Sequence, residues 1–343
     1  MRDPKACPEC LHRAKLLELL APHMERSFAD RLDLASIALL GSAGENLAGS
    51  VAPELALRLL DRVASLSERS LREELSAAGC WATCRHDDLY PVGLRGDPAA
   101  PWALIGRGHS ALLERLVPAE SVAIVGSRRA TSYGREVARG LGHDLAASGK
   151  VVVSGLSFGI DACAHRGALD AEEAAAGVTV AVLGCGPDVA YPAAHRSLWR
   201  RIGEWGLVVS ELFPGAPGWR WSQMARKRII AALGGMTVVV EAAGRSGSLL
   251  AAESAVALGR EVGATPGPVT SRASVGPNAI LADGGRIVRG AEDILTVLGS
   301  GEVDPPAPVA ERSALRAQVE ALIGEDRVPG EVLAGLARDY GGS

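Results

Sequence analysis

Short apolar runs alternate with helical stretches from Ser121 onward, and this alternation is the strongest signal in the chain. The runs are rich in valine and mostly end in glycine or serine: SVAIVGS, KVVVSGL, VTVAVLGC, LVVSELF, MTVVVEAA and REVGATPG. Stretches with helical spacing lie between them, over 133–148, 159–175 and 194–205. This order predicts βαβ units and a mostly parallel sheet. Because the strands are apolar throughout, we expect an α/β domain over 121–298 with helices on both faces of the sheet.

The segments on either side of this domain have different patterns. Residues 1–79 carry leucine and alanine at helical spacing, which predicts a small helical N-terminal domain. Residues 80–120 are rich in turn-forming residues and predict a connector with one or two short strands. Residues 299–343 begin with a linker that contains proline and acidic residues, followed by a short tail that could hold two helices.

Composition and charge narrow the class of protein. The chain has 343 residues, 48% of them hydrophobic, and a formal net charge of −4. No apolar run approaches the roughly 20 residues that span a bilayer, and the N-terminus lacks the apolar segment of a signal peptide. We therefore expect a cytoplasmic protein whose six cysteines are reduced. The net charge excludes a protein that is basic overall but permits a local basic patch.

Glycine and serine crowd the loops that follow the predicted strands. In an open α/β sheet these loops meet at one edge, where ligands bind. Backbone amides and helix N-termini at such an edge suit an anion, and arginines add charge beside the first loop. The alternative is that the glycines only make the turns. The residues singled out in these loops are Gly126, Ser127, Arg128, Arg129, Ser154, Gly155, Gly159, Ser246, Gly247 and Ser248.

The sequence lacks the motifs of common nucleotide sites. GSRRATSYG after the first strand does not contain the glycine pattern of a dinucleotide fingerprint, and no phosphate-binding loop ending in Gly-Lys-Ser/Thr occurs. A longer phosphate chain is therefore favoured as the ligand.

A basic triplet, Arg226, Lys227 and Arg228, precedes the strand MTVVV, and no acidic residue occurs from 212 to 240. On a helix packed against the sheet, part of the triplet is expected to face solvent or a ligand. Trp219 and Trp221 lie just upstream. Cations that follow a backbone and rings that stack on bases favour single-stranded nucleic acid over a merely solvated face.

Catalytic groups are weakly represented. Asp161 and His165 lie four residues apart and share a helix face, but we interpret the pair as structural, with Asp161 at the helix start. Ser154 lacks the surroundings of a nucleophile elbow, and Glu241 has no acidic partner and is interpreted as structural. We therefore expect a protein that is not an enzyme and has no cofactor.

Two pairs of cysteines raise the possibility of a zinc site. Cys7 and Cys10 form a C-x-x-C followed by His12, and Cys80 and Cys84 could complete four ligands. The pairs are far apart in sequence and chance is as good an explanation, so we expect no metal.

Six motifs together resemble the DNA-processing protein A (DprA/Smf) family, over roughly 89–295. They are AIVGSRRATSYG, SGLSFGIDACAHRGAL, TVAVLGCGPDVAYP, RKRIIAAL, TVVVEAAGRSGSL and TPGPVTSRASVGPNAIL. The resemblance implies a Rossmann-like domain that binds single-stranded DNA, forms a homodimer, protects incoming strands in natural transformation and helps to load the RecA recombinase. It implies that the loop at Gly126, Ser127 and Arg128 and the basic triplet form the DNA pocket. Ser154, Gly155, Gly159 and the serines of RSGS would line the same edge.

The chain departs from the family pattern at the triplet. Where the family reads F-P-x-R-N-R, Gln223 and Met224 replace Phe-Pro and Lys227 replaces Asn. The tail after Pro308 is too short for the winged helix of some members. Two other functions stay open. One is a Rossmann-like nucleotide phosphoribohydrolase resembling the LOG family, although TPGPVTSRASVG lacks that family's Gly-Gly and catalytic Glu. The other is an interaction module that no longer binds a ligand.

Overall fold

Strands from both the connector and the α/β region form one sheet in the computed structural model of the chain. The structure describes residues 3–27, 40–171, 178–244 and 246–299. Within these ranges the sheet has nine strands in the order β1-β2-β6-β5-β4-β3-β7-β8-β9. The strands are β1 (Trp81–Cys84), β2 (Ala103–Gly108), β3 (Ser121–Val125), β4 (Val151–Ser154), β5 (Val178–Leu183), β6 (Leu207–Ser210), β7 (Met236–Val239), β8 (Glu261–Ala264) and β9 (Arg286–Ile287).

The sheet is parallel from β6 to β9, and β1 and β2 extend it as an antiparallel pair. On one side of β3, Ala123 pairs with Val153 of β4, and on the other side it pairs with Thr237 of β7. All residues of β3, β4, β6 and β7 are buried. The predicted mostly parallel α/β sheet is confirmed, as are the short strands in 80–120.

Helices cover both faces of the sheet, as predicted. The helices of the described residues are α1 (Pro8–Ser27), α2 (Gly44–Ala48), α3 (Pro53–Ala64), α4 (Glu68–Ala77), α5 (Ser132–Ala147), α6 (Ile160–Asp170), α7 (Arg196–Trp205), α8 (Arg220–Leu233), α9 (Leu249–Ala257), α10 (Val275–Ala282) and α11 (Ala291–Gly299). Helices α8, α9 and α10 share a core with one face. Helices α5, α6, α7 and α11 pack on the other. Successive side chains of a strand point to opposite faces of the sheet. Because helices cover both faces, both sets of side chains are buried, which explains why the strands are apolar throughout.

The N-terminal helices pack directly against the α/β region. Leu20 of α1 and Leu59 of α3 share an apolar cluster with Trp221 and Ala225 of α8. Glu25 caps α8, because its carboxylate accepts hydrogen bonds from the N–H groups of Arg220 and Trp221, both at 3.3 Å. The predicted helical region is thus present, and residues up to Val303 form one compact unit. The domain boundaries within it stay predictions, and the predicted C-terminal tail lies almost wholly outside the described residues.

Across the described residues, none of the helices combines the length and the apolar character that a membrane crossing requires.

Candidate nucleic-acid interface

The loops that follow β3 and β7 leave the sheet at the point where the strand order reverses. The chain proceeds from β3 through β4 and β5 to β6 on one side, and then returns to place β7 on the other side of β3. In open α/β sheets the carboxyl edge at such a reversal is the usual ligand site. The candidate site is this edge, built from the loops at 126–131, 155–159 and 184–192 and from residues 240–244 and 246–248.

The first two loops are held together by close backbone packing. Ile160 N–H donates to Ser127 O at 3.2 Å, and Ser127 N–H donates to Glu241 O at 2.6 Å. A Cβ at Gly126 would lie 2.6 Å from Ile160 Cγ1, and one at Gly159, whose φ is +75°, would overlap Ser127 O. These glycines are therefore required by loop packing and backbone conformation, which supports the turn-forming alternative for both.

Arg128 and Arg129 are exposed on this packed loop. In the described part of the chain, neither guanidinium forms an ion pair with an acidic group. Their charge is therefore available to an anionic ligand at the carboxyl edge.

The second loop places an aromatic ring at the surface. Leu156 has a φ of +58°, which is strained for a branched side chain and is common at functional loops. Phe158 is 46% exposed and its ring lies 4.8 Å from that of His195.

Ser154 does not reach the surface, because it is buried and its hydroxyl donates to Ile124 O at 2.6 Å. The expectation that Ser154 lines the edge is therefore wrong.

The basic triplet is buried, which contradicts the expectation that part of it faces solvent. Arg226, Lys227 and Arg228 are 2%, 6% and 2% exposed. Residues 212–240, which include the triplet, contain no acidic residue. Two acidic side chains from other parts of the chain nevertheless contact the triplet in the folded structure. Glu211 and Asp161 are those partners.

Arg228 forms a closed ion pair. Its Nη1 and Nη2 donate to the two carboxylate oxygens of Glu211 at 2.8 and 2.5 Å, and its Nε donates to Ala99 O at 2.7 Å. Both side chains are buried, so this is a two-point charged hydrogen bond away from water. Arg228 therefore holds the connector segment to α8, and each of its three nitrogens donates to a partner within the fold.

Arg226 and Lys227 lie against the 155–159 loop and the first turn of α6. Arg226 donates to Gly155 O, to Val182 O at 2.8 Å and to Ser157 Oγ at 2.8 Å. Lys227 Nζ is 3.8 Å from Asp161 Oδ2. Burial alone would raise the pKa of Asp161, but Lys227 and Arg226 lower it overall, so this carboxyl is ionised. The floor of the site thus holds two buried basic side chains and one buried carboxylate. Burial lowers the pKa of both Arg226 and Lys227, and the negative charge of Asp161 opposes that effect, so a further anion nearby would favour their charged forms.

The two tryptophans upstream of the triplet do not form a platform at this edge. Trp221 is 2% exposed and its Nε1 donates to Ala21 O at 3.0 Å. A buried ring offers no face to a base, so the expected stacking role of Trp221 is not supported. Trp219 is half-buried and packs against the N-terminal helices.

Two aromatic residues that the sequence reasoning missed are exposed on the loops. Phe158 follows the β4 strand and Tyr191, 44% exposed, follows β5. The signal was available, since each is a lone aromatic ring within a loop of small residues at a predicted strand end.

Residues 246–248, the described part of the RSGS loop, lie next to α8. Ser246 Oγ and Ser248 Oγ are 2.7 Å apart, and a Cβ at Gly247 would lie 2.6 Å from Met224 Cε. Ser248 is buried, whereas Ser246 and Gly247 are half-buried. The structure therefore brings this loop to α8 two residues before the triplet, with a glycine where the backbone passes the Met224 side chain.

Glu241 braces the start of α5, as the structural interpretation predicted. It is 3% exposed, and its carboxylate accepts from Thr131 N at 2.9 Å and from Thr131 Oγ1 at 2.5 Å. Thr131 is the N-cap of α5. A carboxylate at a helix N-terminus is stabilising, which accounts for a buried acid here.

His165 is also a structural brace. It is fully buried, and its Nδ1 lies 2.7 Å from Thr179 Oγ1, whose own proton is donated to Val152 O at 3.0 Å. The Thr179 hydroxyl therefore accepts from Nδ1–H, which fixes the neutral tautomer. Burial lowers the pKa of His165 to about 4, with partial opposition from Asp161. The interpretation of His165 as structural is supported by these contacts.

This lowered pKa has an expected effect on stability. The unfolded chain takes up a proton near pH 6.5 and the folded chain only near pH 4, so stability due to neutral His165 is complete above pH 6.5 and is lost as pH falls through this window. We expect a loss of about 2 kcal/mol between pH 7 and pH 5 from this residue. Urea unfolding of the wild type and of His165→Gln at both pH values measures it. Equal pH dependence in the two proteins would contradict the assignment.

The four-cysteine zinc arrangement considered from the sequence is wrong in one member, Cys80, and the neighbouring His12 is not a ligand either. Cys80 Sγ faces Ala78 O at 3.6 Å, and both ring nitrogens of His12 lie against backbone carbonyls. Cys7, Cys10 and Cys84 do come together, away from the carboxyl edge and beside His86.

Comparison with known proteins agrees with this architecture. The family model for DNA recombination-mediator protein A matches residues 81–299. The chain is 36% identical to the DNA processing protein DprA of Mycobacterium tuberculosis H37Rv, over 96% of this chain and 87% of that protein. The crystal structure of DNA processing protein A from Streptococcus pneumoniae superposes with a TM-score of 0.64 at 31% identity, covering 84% of this chain and 95% of that one.

A second solved structure, of DNA processing protein A from Helicobacter pylori, concerns that protein's single-stranded DNA binding mode. It matches with a TM-score of 0.54 at 27% identity, covering 61% of this chain and 93% of that one. The family model spans well over half of the chain, and the relative from M. tuberculosis matches nearly all of it. The chain therefore belongs to the DNA recombination-mediator protein A family.

Proposed function

We propose that the chain binds single-stranded DNA across the carboxyl edge of the sheet. The observation that carries this proposal is the charge of the floor, where Arg226 and Lys227 are buried with Asp161 as their carboxylate partner. An excess positive charge in a low-dielectric environment is costly unless an anion compensates it. A phosphate on the loops above would supply that compensation.

The exposed residues of the loops have the chemistry that a single strand requires. Arg128 and Arg129 present free cations for backbone phosphates, and Phe158 and Tyr191 present rings for bases. This combination of cations and stacking rings binds single strands with little sequence preference. Arg226 and Lys227 do not contact the strand directly. They contribute through their electrostatic attraction for phosphate and by fixing the 155–159 loop, whereas Arg228 is structural. The proposed contact set thus moves from the triplet to the loops at 126–131, 155–159 and 184–192.

The direct test is fluorescence anisotropy with labelled oligo-dT and a mixed-sequence oligonucleotide, beside an assay for base release from AMP. Binding of both oligonucleotides without base release is the expected result. Turnover of AMP would instead favour the phosphoribohydrolase, and an absence of both activities would favour an interaction module without a ligand.

Removing the Phe158 ring is expected to weaken binding without changing its salt dependence. Loss of one stacked base costs about 1–3 kcal/mol, which is roughly a 5- to 150-fold rise in Kd for Phe158→Ala. The slope of log K against log salt should stay unchanged, because no phosphate contact is lost. Trp205→Ala is the matched control, since Trp205 is 67% exposed and ends α7 just before β6, at the opposite edge. Equal affinities of the two variants would contradict the placement of the strand.

The wider roles that the family resemblance implies are part of this proposal. They are homodimerisation, protection of incoming strands, loading of RecA in transformation, residence in the cytoplasm and the absence of catalysis. Light scattering on the DNA-free protein tests the homodimer, and a strict monomer at tens of micromolar would contradict it. Strand exchange by RecA on oligonucleotides coated with a single-strand-binding protein, with and without this chain, tests the loading role.

A further inference from the structure

Three cysteines and a histidine from distant parts of the sequence meet at the edge of the sheet where β1 ends. They are Cys7 and Cys10 at the start of α1, Cys84 at the end of β1, and His86 in the turn after it. One ligand atom from each lies within 4.8 Å of all the others. None of these residues belongs to the carboxyl-edge site. We propose that they form a structural zinc site with a Cys₃His ligand set.

The distances fit a tetrahedral zinc ion. Cys7 Sγ and Cys10 Sγ lie 3.4 and 3.6 Å from His86 Nδ1. Zn–S bonds of about 2.3 Å and Zn–N bonds of about 2.0 Å at the tetrahedral angle place sulfur and nitrogen about 3.5 Å apart. The two observed distances therefore already match two edges of the required tetrahedron. Hydrogen bonds between two thiols and an imidazole would not by themselves require the Cys84 sulfur to lie beside them, whereas a tetrahedral zinc site requires a fourth ligand.

The backbone around the cluster is organised to hold thiolates. Cys7 N–H donates to Cys84 Sγ at 3.3 Å, a bond that favours the charged sulfur. Cys10 lies in the first turn of α1, where the positive end of the helix dipole also favours a thiolate. Cys10 and Cys84 are buried, Cys7 is half-buried and His86 is exposed, so an ion could enter from the His86 side.

The loop that carries Cys7 is fixed to the β1 turn by further bonds. Ala6 N–H donates to Ala82 O at 2.9 Å, and Lys5 N–H donates to Asp87 Oδ2 at 2.7 Å. The Asp87 carboxylate also accepts from Thr83 Oγ1 at 3.0 Å. These bonds orient the two halves of the ligand set before any metal binds, which is the outer support that metal sites require.

Four protein ligands leave no open position, so the site is structural and not catalytic. Its effect is to join α1 to β1, which is the edge strand of the sheet. The apolar cluster at this junction is built largely from small side chains, with alanines and cysteines around Leu11, Leu71 and Leu75. A metal ion supplies the cohesion that such a cluster lacks.

The experiment measures zinc in the full-length chain, purified without a chelator and without a histidine tag. Elemental analysis is expected to give about one zinc per chain, falling below about 0.2 in Cys7→Ser. Cys80→Ser is the matched control, because Cys80 belongs to the same apolar cluster but not to the ligand set, and it should keep its zinc. His86→Cys should also keep zinc, since four thiolates form an equally good set.

Cobalt substitution of the wild type keeps the test independent of variants that fail to fold. Co²⁺ added to the metal-free chain is expected to give the intense visible bands of tetrahedral coordination and the near-ultraviolet band of thiolate-to-cobalt charge transfer. Zinc should then displace the cobalt and abolish both. A folded wild type that contains no zinc and gives no such cobalt spectrum overturns the proposal. A disulfide between any two of the three cysteines, found by mass spectrometry of freshly purified protein, overturns it as well.

Discussion

Replacing Arg228 with Met is expected to lower the free energy of unfolding by about 3–5 kcal/mol, measured by urea denaturation at pH 7. The substitution leaves the Glu211 carboxylate buried without its cation, and it removes the donor to Ala99 O. An uncompensated buried charge is far more costly than the pair itself is worth. The loss is a large part of the 5–15 kcal/mol typical of a folded domain.

The double variant Arg228→Met with Glu211→Leu separates the ion pair from simple packing. Removing both charges should restore about half or more of the lost stability, because a buried pair exchanged for apolar side chains is close to neutral. Arg201→Gln is the control for an exposed ion pair, with Asp170 at 3.7 Å, and is expected to cost less than about 1 kcal/mol. A single Arg228→Met variant that is as stable as wild type would contradict the buried pair.

The double variant Arg128→Gln with Arg129→Gln is expected to bind oligo-dT about 60-fold more weakly at 50 mM salt and about tenfold more weakly at 200 mM. The reason is counterion release, which contributes about 0.7 to the slope of log K against log salt for each phosphate contact on a single strand. Two lost contacts should therefore flatten the slope by about 1.4. Mixed sequences should weaken equally, because phosphate contacts do not read bases.

The matched control removes the same charge elsewhere. Arg139 and Arg201 both contact Asp170, the last residue of α6, so they lie near the opposite edge of the sheet. The variant Arg139→Gln with Arg201→Gln has the same net charge as the loop variant and should keep the wild-type slope. If both double variants change the slope alike, the effect is one of overall charge, and the strand does not cross the 126–131 loop.

The sheet was predictable from the sequence because its determinants are local. Most of the parallel strands are short apolar runs, mostly ending in glycine or serine, and stretches with helical spacing lie between several of them. The prediction that part of the triplet faces solvent was wrong because the acidic partners of the triplet are not local in the sequence. Glu211 lies one residue outside the stretch without acids, and Asp161 is a distant partner that only the fold brings to Lys227.

Single residues in loops were the hardest part of the site to predict. Phe158 and Tyr191 have no periodic pattern around them, and whether such a ring is exposed depends on how neighbouring loops pack. Trp221 was predicted to be accessible because it lies beside basic residues in the sequence, but its ring is buried against α1. His86 was missed for a similar reason, because a lone histidine in a turn becomes a candidate ligand only when α1 places two cysteines beside it.

The two buried arginines of α8 should differ in how their loss can be repaired by mutation. Arg228 is matched by a side chain, so a second change at Glu211 can relieve a damaged pair. Arg226 is held chiefly by the backbone carbonyls of Gly155 and Val182, which no substitution can alter. A genetic screen for second-site suppressors should therefore recover changes at Glu211 for Arg228 variants and yield none of comparable strength for Arg226 variants.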